Sequence, residues 1–271
     1  SLRLASSDGG RSWTEAKGSV IDARWKTERG QLVRASARGW VYTDATEAEH
    51  LHSQHKTVRT VRPGTVAYLG GAQFLTSDDN GRSWQQHELD VPDYVSGLMG
   101  YHSEASNVVT PEGLRLVAVY SRRIDPERPS EKLRTEVFLL RSTDDGQTWE
   151  VRPMYPAGLP DPELGFDETA LVVTGGGKLL AMMRTTPEGH LYRSVSEDAG
   201  ATWSPPEKTP IWGYPAHLLK LHDGRLLCSY GYRRDPMGIR ASVSSDDGAT
   251  WDIEHEYILR ADGFGYGSDL G

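Results

Sequence analysis

Three features of the sequence predict an all-β fold built from repeated four-stranded sheets. First, the octet Ser-x-Asp-x-Gly-x-(Ser/Thr)-Trp occurs five times, at Ser6–Trp13, Ser77–Trp84, Ser142–Trp149, Ser196–Trp203 and Ser244–Trp251. Second, three longer segments, starting at Glu104, Glu168 and Pro215, share one template: an apolar run, a Gly turn and a second apolar run. Those second runs are Leu116–Tyr120, Leu179–Met183 and Leu226–Tyr230, all too short for helices and bounded by Gly. Third, the octet Asp residues lie 71, 65, 54 and 48 positions apart. Four antiparallel strands per unit at a period near 50 predict the blades of a β-propeller, here one domain over residues 1–271.

Each octet is legible as a turn. An Asp carboxylate accepts hydrogen bonds from backbone N–H groups just ahead of it, and Gly supplies a φ > 0 position. The Ser or Thr hydroxyl ties the loop back, and the Trp ring buries against the outgoing strand. Asp8, Asp79, Asp144, Asp198 and Asp246 are therefore expected to clamp turns and not to do chemistry. The acidic spacing of an EF-hand is absent.

The chain opens on Leu2-Arg-Leu-Ala5 and runs straight into the first octet, in mid-hairpin, which predicts a preceding segment. Gln31–Ser36 and Trp40–Tyr42 read as strands. Thr46–Lys56 is mostly polar and reads as a solvated loop; His50, His52 and His55 beside Glu47 and Glu49 meet no metal-ligand spacing. Thr65–Leu69 and Gln73–Thr76 are strands leading into the second octet. From Tyr101 onward the repeat is A-turn-B-loop-C-octet-D. The B-to-C loop varies most, long over Ser121–Glu131 and short over Thr185–Gly189, and insertions gathered on one face of an array tend to mark the binding face.

Composition narrows the function. The 271 residues are 37% hydrophobic and 25% charged, with net charge −8 and no Lys/Arg run longer than two. Nucleic acid and anionic membrane surfaces are poor partners for such a chain. No apolar run approaches a membrane span, and no signal peptide or cofactor motif is present. The compartment stays open between secreted and cytoplasmic. The single Cys228 reads as a buried strand residue and excludes an intrachain disulfide.

Topology sorts residues between the two ends of each blade. The A–B turns share one end with the octets. The start of A, the end of B and the start of C share the other. His102, Glu104, Arg122, Arg123, Asp167, Glu168, Arg184, His190, Tyr192, Tyr214, His217, Tyr232, Arg233, Arg234 and Arg240 fall on that second end. A bowl rich in Arg and aromatic rings suits an anionic, hydroxyl-rich ligand, because Arg forks bind carboxylates bidentately.

The octets resemble the Asp boxes, or BNR repeats, of the sialidase (neuraminidase) superfamily. Phe166-Asp167-Glu168, with Arg184 sixteen residues after the Glu and an octet from Ser196, resembles the sialidase segment in which a Glu opens one strand and an Arg closes the next. The resemblance implies a six-bladed propeller, incomplete within five octets, and an exo-acting glycoside hydrolase for a terminal acidic sugar such as sialic acid. In that family three Arg residues hold the substrate carboxylate, a Glu activates a Tyr nucleophile, and an Asp is the acid/base. Sialidases are exceptions to the two-carboxylate rule of glycosidases.

Carried onto this sequence, Glu168 activates the nucleophile and Arg184 binds the carboxylate. Arg240 is the candidate second clamp, with Arg233 or Arg234 as alternatives. Asp167, Tyr214 and His217 are expected to bind substrate, and His217 departs from the usual pattern, which admits another sugar. Tyr266, in Gly265-Tyr-Gly-Ser-Asp-Leu270, is nearest to the nucleophile's Tyr-Ser-Asp-Leu-like stretch, one residue out of register. The family's third Arg and its Asp acid/base belong ahead of the first octet. Two other readings stand beside the sialidase-like one. One is a related propeller enzyme on another acidic sugar, a rhamnosidase-like hydrolase or a lyase, the latter marked by an ultraviolet-absorbing unsaturated product. The other is a glycan-binding propeller without turnover. No metal is implied.

Overall fold

The computed structural model describes residues 4–5, 14–15, 25–26, 31–36, 40–53, 58–69, 73–88, 107–122, 135–156, 158–159, 164–185 and 189–263. Its contacts group the chain into two compact units, residues 1–36 with 73–87, and residues 37–72 with 88–271.

The smaller unit begins with strands β1 (Leu4–Ala5) and β2 (Thr14–Glu15), which pair antiparallel around the position of the first octet. Residues 6–13 themselves lie outside the described residues. Strands β3 (Trp25–Lys26) and β4 (Leu32–Ser36) follow. The chain then leaves this unit, and it rejoins the sheet 36 residues later, after residues 37–72.

That excursion holds β5 (Trp40–Asp44), a 3-10 turn (Ala45–Glu47), helix α1 (Ala48–Ser53), β6 (Val58–Arg62) and β7 (Thr65–Leu69). The three strands form a sheet in the order β5-β7-β6. The stretch expected to be a solvated loop is thus helical over residues 45–53. The reason is local. Asp44 caps the turn, accepting from the Thr46 N–H at 2.9 Å, and Leu51 is buried. Acidic Glu47 and Glu49 also sit in the first turns, where the helix dipole favours them.

β8 (Gln73–Ser77) pairs directly with β4, and β9 (Gln85–Glu88) completes the order β3-β4-β8-β9. This is the A-B-C-D sheet of the repeat, with its octet between C and D. The excursion is its B-to-C connection, and it accounts for the 71-residue spacing of the first two octet Asp residues.

The larger unit carries three further sheets of the same kind, described here as blades I to III. Blade I is β10 (Asn107–Val109), β11 (Arg115–Arg122), β12 (Thr135–Ser142) and β13 (Glu150–Pro153). Blade II is β14 (Phe166–Val173), β15 (Leu179–Thr185), β16 (His190–Ser196) and β17 (Glu207–Trp212). Blade III is β18 (Ala216–Lys220), β19 (Leu226–Tyr232), β20 (Gly238–Ser244) and β21 (Tyr257–Arg260). Every neighbouring pair is antiparallel. Successive four-stranded meanders stacked face to face are the architecture of a β-propeller.

Alternation along the strands builds two cores from one sheet. In β15, Leu179, Ala181 and Met183 pack with Leu116, Ala118 and Leu139 of blade I. Leu180 and Met182 point the other way and pack with Leu218, Leu226 and Cys228 of blade III. Period-two side-chain direction lets a sheet buried on both faces read as an almost continuous apolar run. Cys228 is a buried, free thiol on β19, and burial pushes its pKa upward.

The four described octets share one hydrogen-bond pattern. The first Ser hydroxyl donates to the Asp carboxylate and accepts from the Gly N–H, both at 2.8–2.9 Å. The Ser or Thr four residues after the Asp donates its N–H at 2.8 Å and its hydroxyl at 2.6–2.7 Å to that carboxylate. Gly is not the only left-handed residue. The residue before it also has positive φ, at Asn80 (58°), Asp145 (59°), Ala199 (54°) and Asp247 (57°). The Asp residues are held as anions. The Thr202 hydroxyl and N–H lower Asp198 to about 2. Burial opposes the shift at Asp144 and Asp246, but hydrogen bonds from Thr148 and Thr250 outweigh it and the net direction is down.

Octets also join blades. Asp247 accepts from the Gly175 and Gly176 N–H groups of the blade II A–B turn at 2.9 and 3.0 Å. Octets and A–B turns therefore meet at one end of the larger unit, leaving the start of A and the end of B at the other.

Candidate functional site

At that other end of blade II the ladder between β14 and β15 slips. Phe166 pairs with Thr185 and Thr169 with Met183, so Asp167 and Glu168 together oppose Arg184. This is a β-bulge, which re-aims side chains and is over-represented beside active sites. The Thr169 hydroxyl donates to the Asp167 carbonyl at 3.0 Å and fixes the kink.

The bulge brings both carboxylates to one guanidinium. Arg184 Nη1 donates to the two Glu168 oxygens at 3.0 and 2.8 Å, and Nε lies 3.8 Å from Asp167 Oδ2. Nε is buried and donates to no acceptor among the described residues. All three side chains are only 14–21% exposed, so their mutual charges are weakly screened.

From Arg184 a row of rings runs into blade III. The Arg184 guanidinium lies 4.4 Å from the Tyr214 ring centre, and Arg233 lies over the same ring at 4.7 Å. Trp212 follows, 6.1 Å from Tyr214 and 5.6 Å from Tyr232. Arg234 lies 3.8 Å over Trp212, and Arg240 lies 3.3 Å over Tyr232. Cation–π contacts of this kind hold a charged fork against a flat apolar surface.

Arg240 has a second tie. Its Nη1 donates to Glu256 at 2.5 Å, and the Tyr230 hydroxyl donates to the other oxygen of that carboxylate. Burial, then the Glu256 hydrogen bond, push the Tyr230 phenol upward, so it stays protonated as a donor. Glu256 was not singled out in the sequence, where it sits in the polar run Asp252–Tyr257 with no motif around it. Strand register could have found it: Arg240 opposes Ile258, and Glu256 lies two residues away on the same face.

Other expected site residues fall elsewhere. Tyr192 is not in the bowl; it is buried in the core against Phe166, with ring centres 5.5 Å apart. Alternation along β16 turns it toward blade I. His190 Nδ1 lies 3.1 Å from the Thr209 carbonyl, bracing β16 on β17. His217 is exposed on β18 opposite Ser229, and among the described residues no ring contact joins it to the row. Tyr266, His102, Glu104 and Arg123 lie outside the described residues, and Arg122 closes β11. Among the described residues no three His, Cys, Asp or Glu side chains could together hold a metal ion, and no helix is long and apolar enough to cross a membrane.

Residues 57–267 match the family model described as the BNR repeat-like domain. The chain belongs to the BNR repeat-like domain family. No curated protein matches the sequence significantly. Among solved structures, this BNR repeat-like domain is similar to a Dyadobacter fermentans protein of unknown function, at 29% identity and TM-score 0.66. That alignment covers 89% of this chain and 64% of the other. The Hadza microbial sialidase Hz136 aligns at 17% identity and TM-score 0.51, over 83% of this chain and 44% of that one. The NanB sialidase of Streptococcus pneumoniae aligns at 16% identity and TM-score 0.51, over 84% and 36%. At such identities the likeness is one of fold: an all-β, sialidase-like propeller. The chain spans less than two thirds of the length of each of these proteins.

Proposed function

We propose that this BNR repeat-like domain is a sialidase-like glycoside hydrolase that removes a terminal acidic sugar from glycoconjugates. The observation that carries the reading is the bulge that sets Glu168 against Arg184, at the end of blade II away from the octets. Arg184 uses Nη1 for Glu168, which leaves Nη2 for an incoming carboxylate. Arg233, over the same Tyr214 ring, is the candidate second cation. Arg240 is tied to Glu256 and stands further along the row. Asp167 holds the far side of Arg184, and His217 stands at the rim of blade III as a contact for the sugar.

Glu168, as a fixed carboxylate, takes the proton of a Tyr phenol, for which Tyr266 is the candidate. As it does so, the phenolic oxygen attacks the anomeric carbon and the glycosidic C–O bond breaks, the leaving oxygen taking a proton from the Asp acid/base that the family resemblance implies. That Asp then deprotonates the water that cleaves the aryl-glycoside bond, and Glu168 returns its proton to the phenol. A neutral nucleophile suits a substrate whose own carboxylate would repel an anionic one.

Hydrolysis of a fluorogenic sialoside tests the reading. Arg184→Ala is expected to lower kcat/KM by about 10²- to 10³-fold, in line with the loss of a charged contact to substrate and transition state. Undiminished turnover by that variant rules out the clamp, and release of an ultraviolet-absorbing unsaturated sugar reassigns the reaction as a lyase.

A further inference from the structure

We infer that the ring row beyond Tyr214 is a second subsite, one that takes an anionic group on the sugar next to the terminal one. The inference rests on the reading of Arg184 as the holder of the terminal carboxylate. It starts from the distribution of charge. Arg184 faces Asp167 and Glu168, and Arg240 faces Glu256. Arg234 is exposed, lies 3.8 Å over Trp212, and pairs with no carboxylate among the described residues. The fold neutralises its neighbours and leaves this guanidinium uncompensated, in a chain of net charge −8.

The platform under Arg234 is rigid. Gly189 (φ +75°) sits so close to Trp212 that a Cβ there would come within 2.5 Å of the indole Nε1. Tyr232 meets the indole edge-on, and Tyr214 closes the other side. An exposed cation–π contact returns less than the rotamer freedom that an ordered Arg side chain gives up. A guanidinium lying over a ring still presents its N–H edge outward, the geometry that receives a carboxylate or sulfate bidentately. An anion there also supplies what the cation–π contact alone does not.

Position sets the ligand. The step from the Tyr214 ring to the Trp212 ring is 6.1 Å, comparable to the width of one pyranose. A terminal sugar held at Arg184 therefore places its neighbour beside Trp212, against the outward edge of Arg234. A neutral second sugar offers that edge only hydroxyls, whereas an acidic one offers it a carboxylate and a charge-assisted pair. The ligand class is an oligosaccharide with anionic groups on successive sugars.

Titration calorimetry on the full chain tests this, with Glu168→Gln introduced to stop turnover. The probes are α2,8-linked disialic acid, whose second sugar is acidic, and 3′-sialyllactose, whose second sugar is neutral. Disialic acid is expected to bind more tightly. Arg234→Ala is expected to reduce that preference about tenfold, and Arg234→Lys to restore part of it at low salt. An equal affinity for the two probes, or a preference that survives Arg234→Ala, overturns the second subsite while leaving the Arg184 reading intact. Failure to bind either probe overturns both.

Discussion

Replacing Glu168 by Gln is expected to lower kcat for a sialoside by about 10²- to 10⁴-fold, the range a positioned general base supplies. Gln keeps the shape of the side chain and can still turn its carbonyl oxygen to Arg184 Nη1, which now sits at 2.8 Å from the carboxylate. It cannot take a proton from a phenol. The loss should therefore fall on kcat more than on KM, because substrate binding is assigned to the Arg residues. A variant that unfolds at a lower temperature but turns over at the wild-type rate would reduce Glu168 to a brace for the bulge.

A large stability effect is expected at an octet glycine. Gly248 has φ +85°, and a Cβ there would lie 2.3 Å from Leu180 Cδ2, a fully buried side chain in the core between blades II and III. Gly224 has nearly the same backbone, φ +89°, but a Cβ there meets nothing within 4 Å. Both Ala variants incur the left-handed penalty of about 1–2 kcal/mol. Only Gly248→Ala adds overpacking, about 1–3 kcal/mol more. Denaturant unfolding should thus place Gly248→Ala about 2–5 kcal/mol below wild type, with Gly224→Ala clearly closer. Equal losses would mean that backbone strain, and not the fit of one blade's octet against the next, accounts for the glycine.

Much of this architecture was legible because its determinants are local. An octet encodes its own hydrogen bonds, so five copies announce five repeats, and apolar pairs around Gly turns announce strands A and B. The excursion between β4 and β8 was not legible as an insertion. Its strands look like those of the blades, and strand pairing across 36 residues leaves no local trace. Helix α1 was hidden by polarity, since Leu51 is the one buried side chain among its residues 48–52. At the site, Glu168 and Arg184 were found by resemblance and spacing, but the bulge that joins them is a register slip of one residue and has no composition signal. Tyr192 and Tyr214 were assigned to the same end by topology alone. Topology does not say which face of a strand an aromatic takes, and one of the two went into the core. Glu256 lay unseen because its partner Arg240 belongs to another strand of the sheet.

Under the proposed function, one end of blades II and III takes an acidic sugar around Arg184. The most direct test is a crystal structure with sialic acid bound. A carboxylate oxygen of the sugar is expected within about 3 Å of an Arg184 guanidinium nitrogen, the reach of a charge-assisted hydrogen bond. A sugar bound at the octet end, or bound at this end with its carboxylate turned away from Arg184, would contradict it.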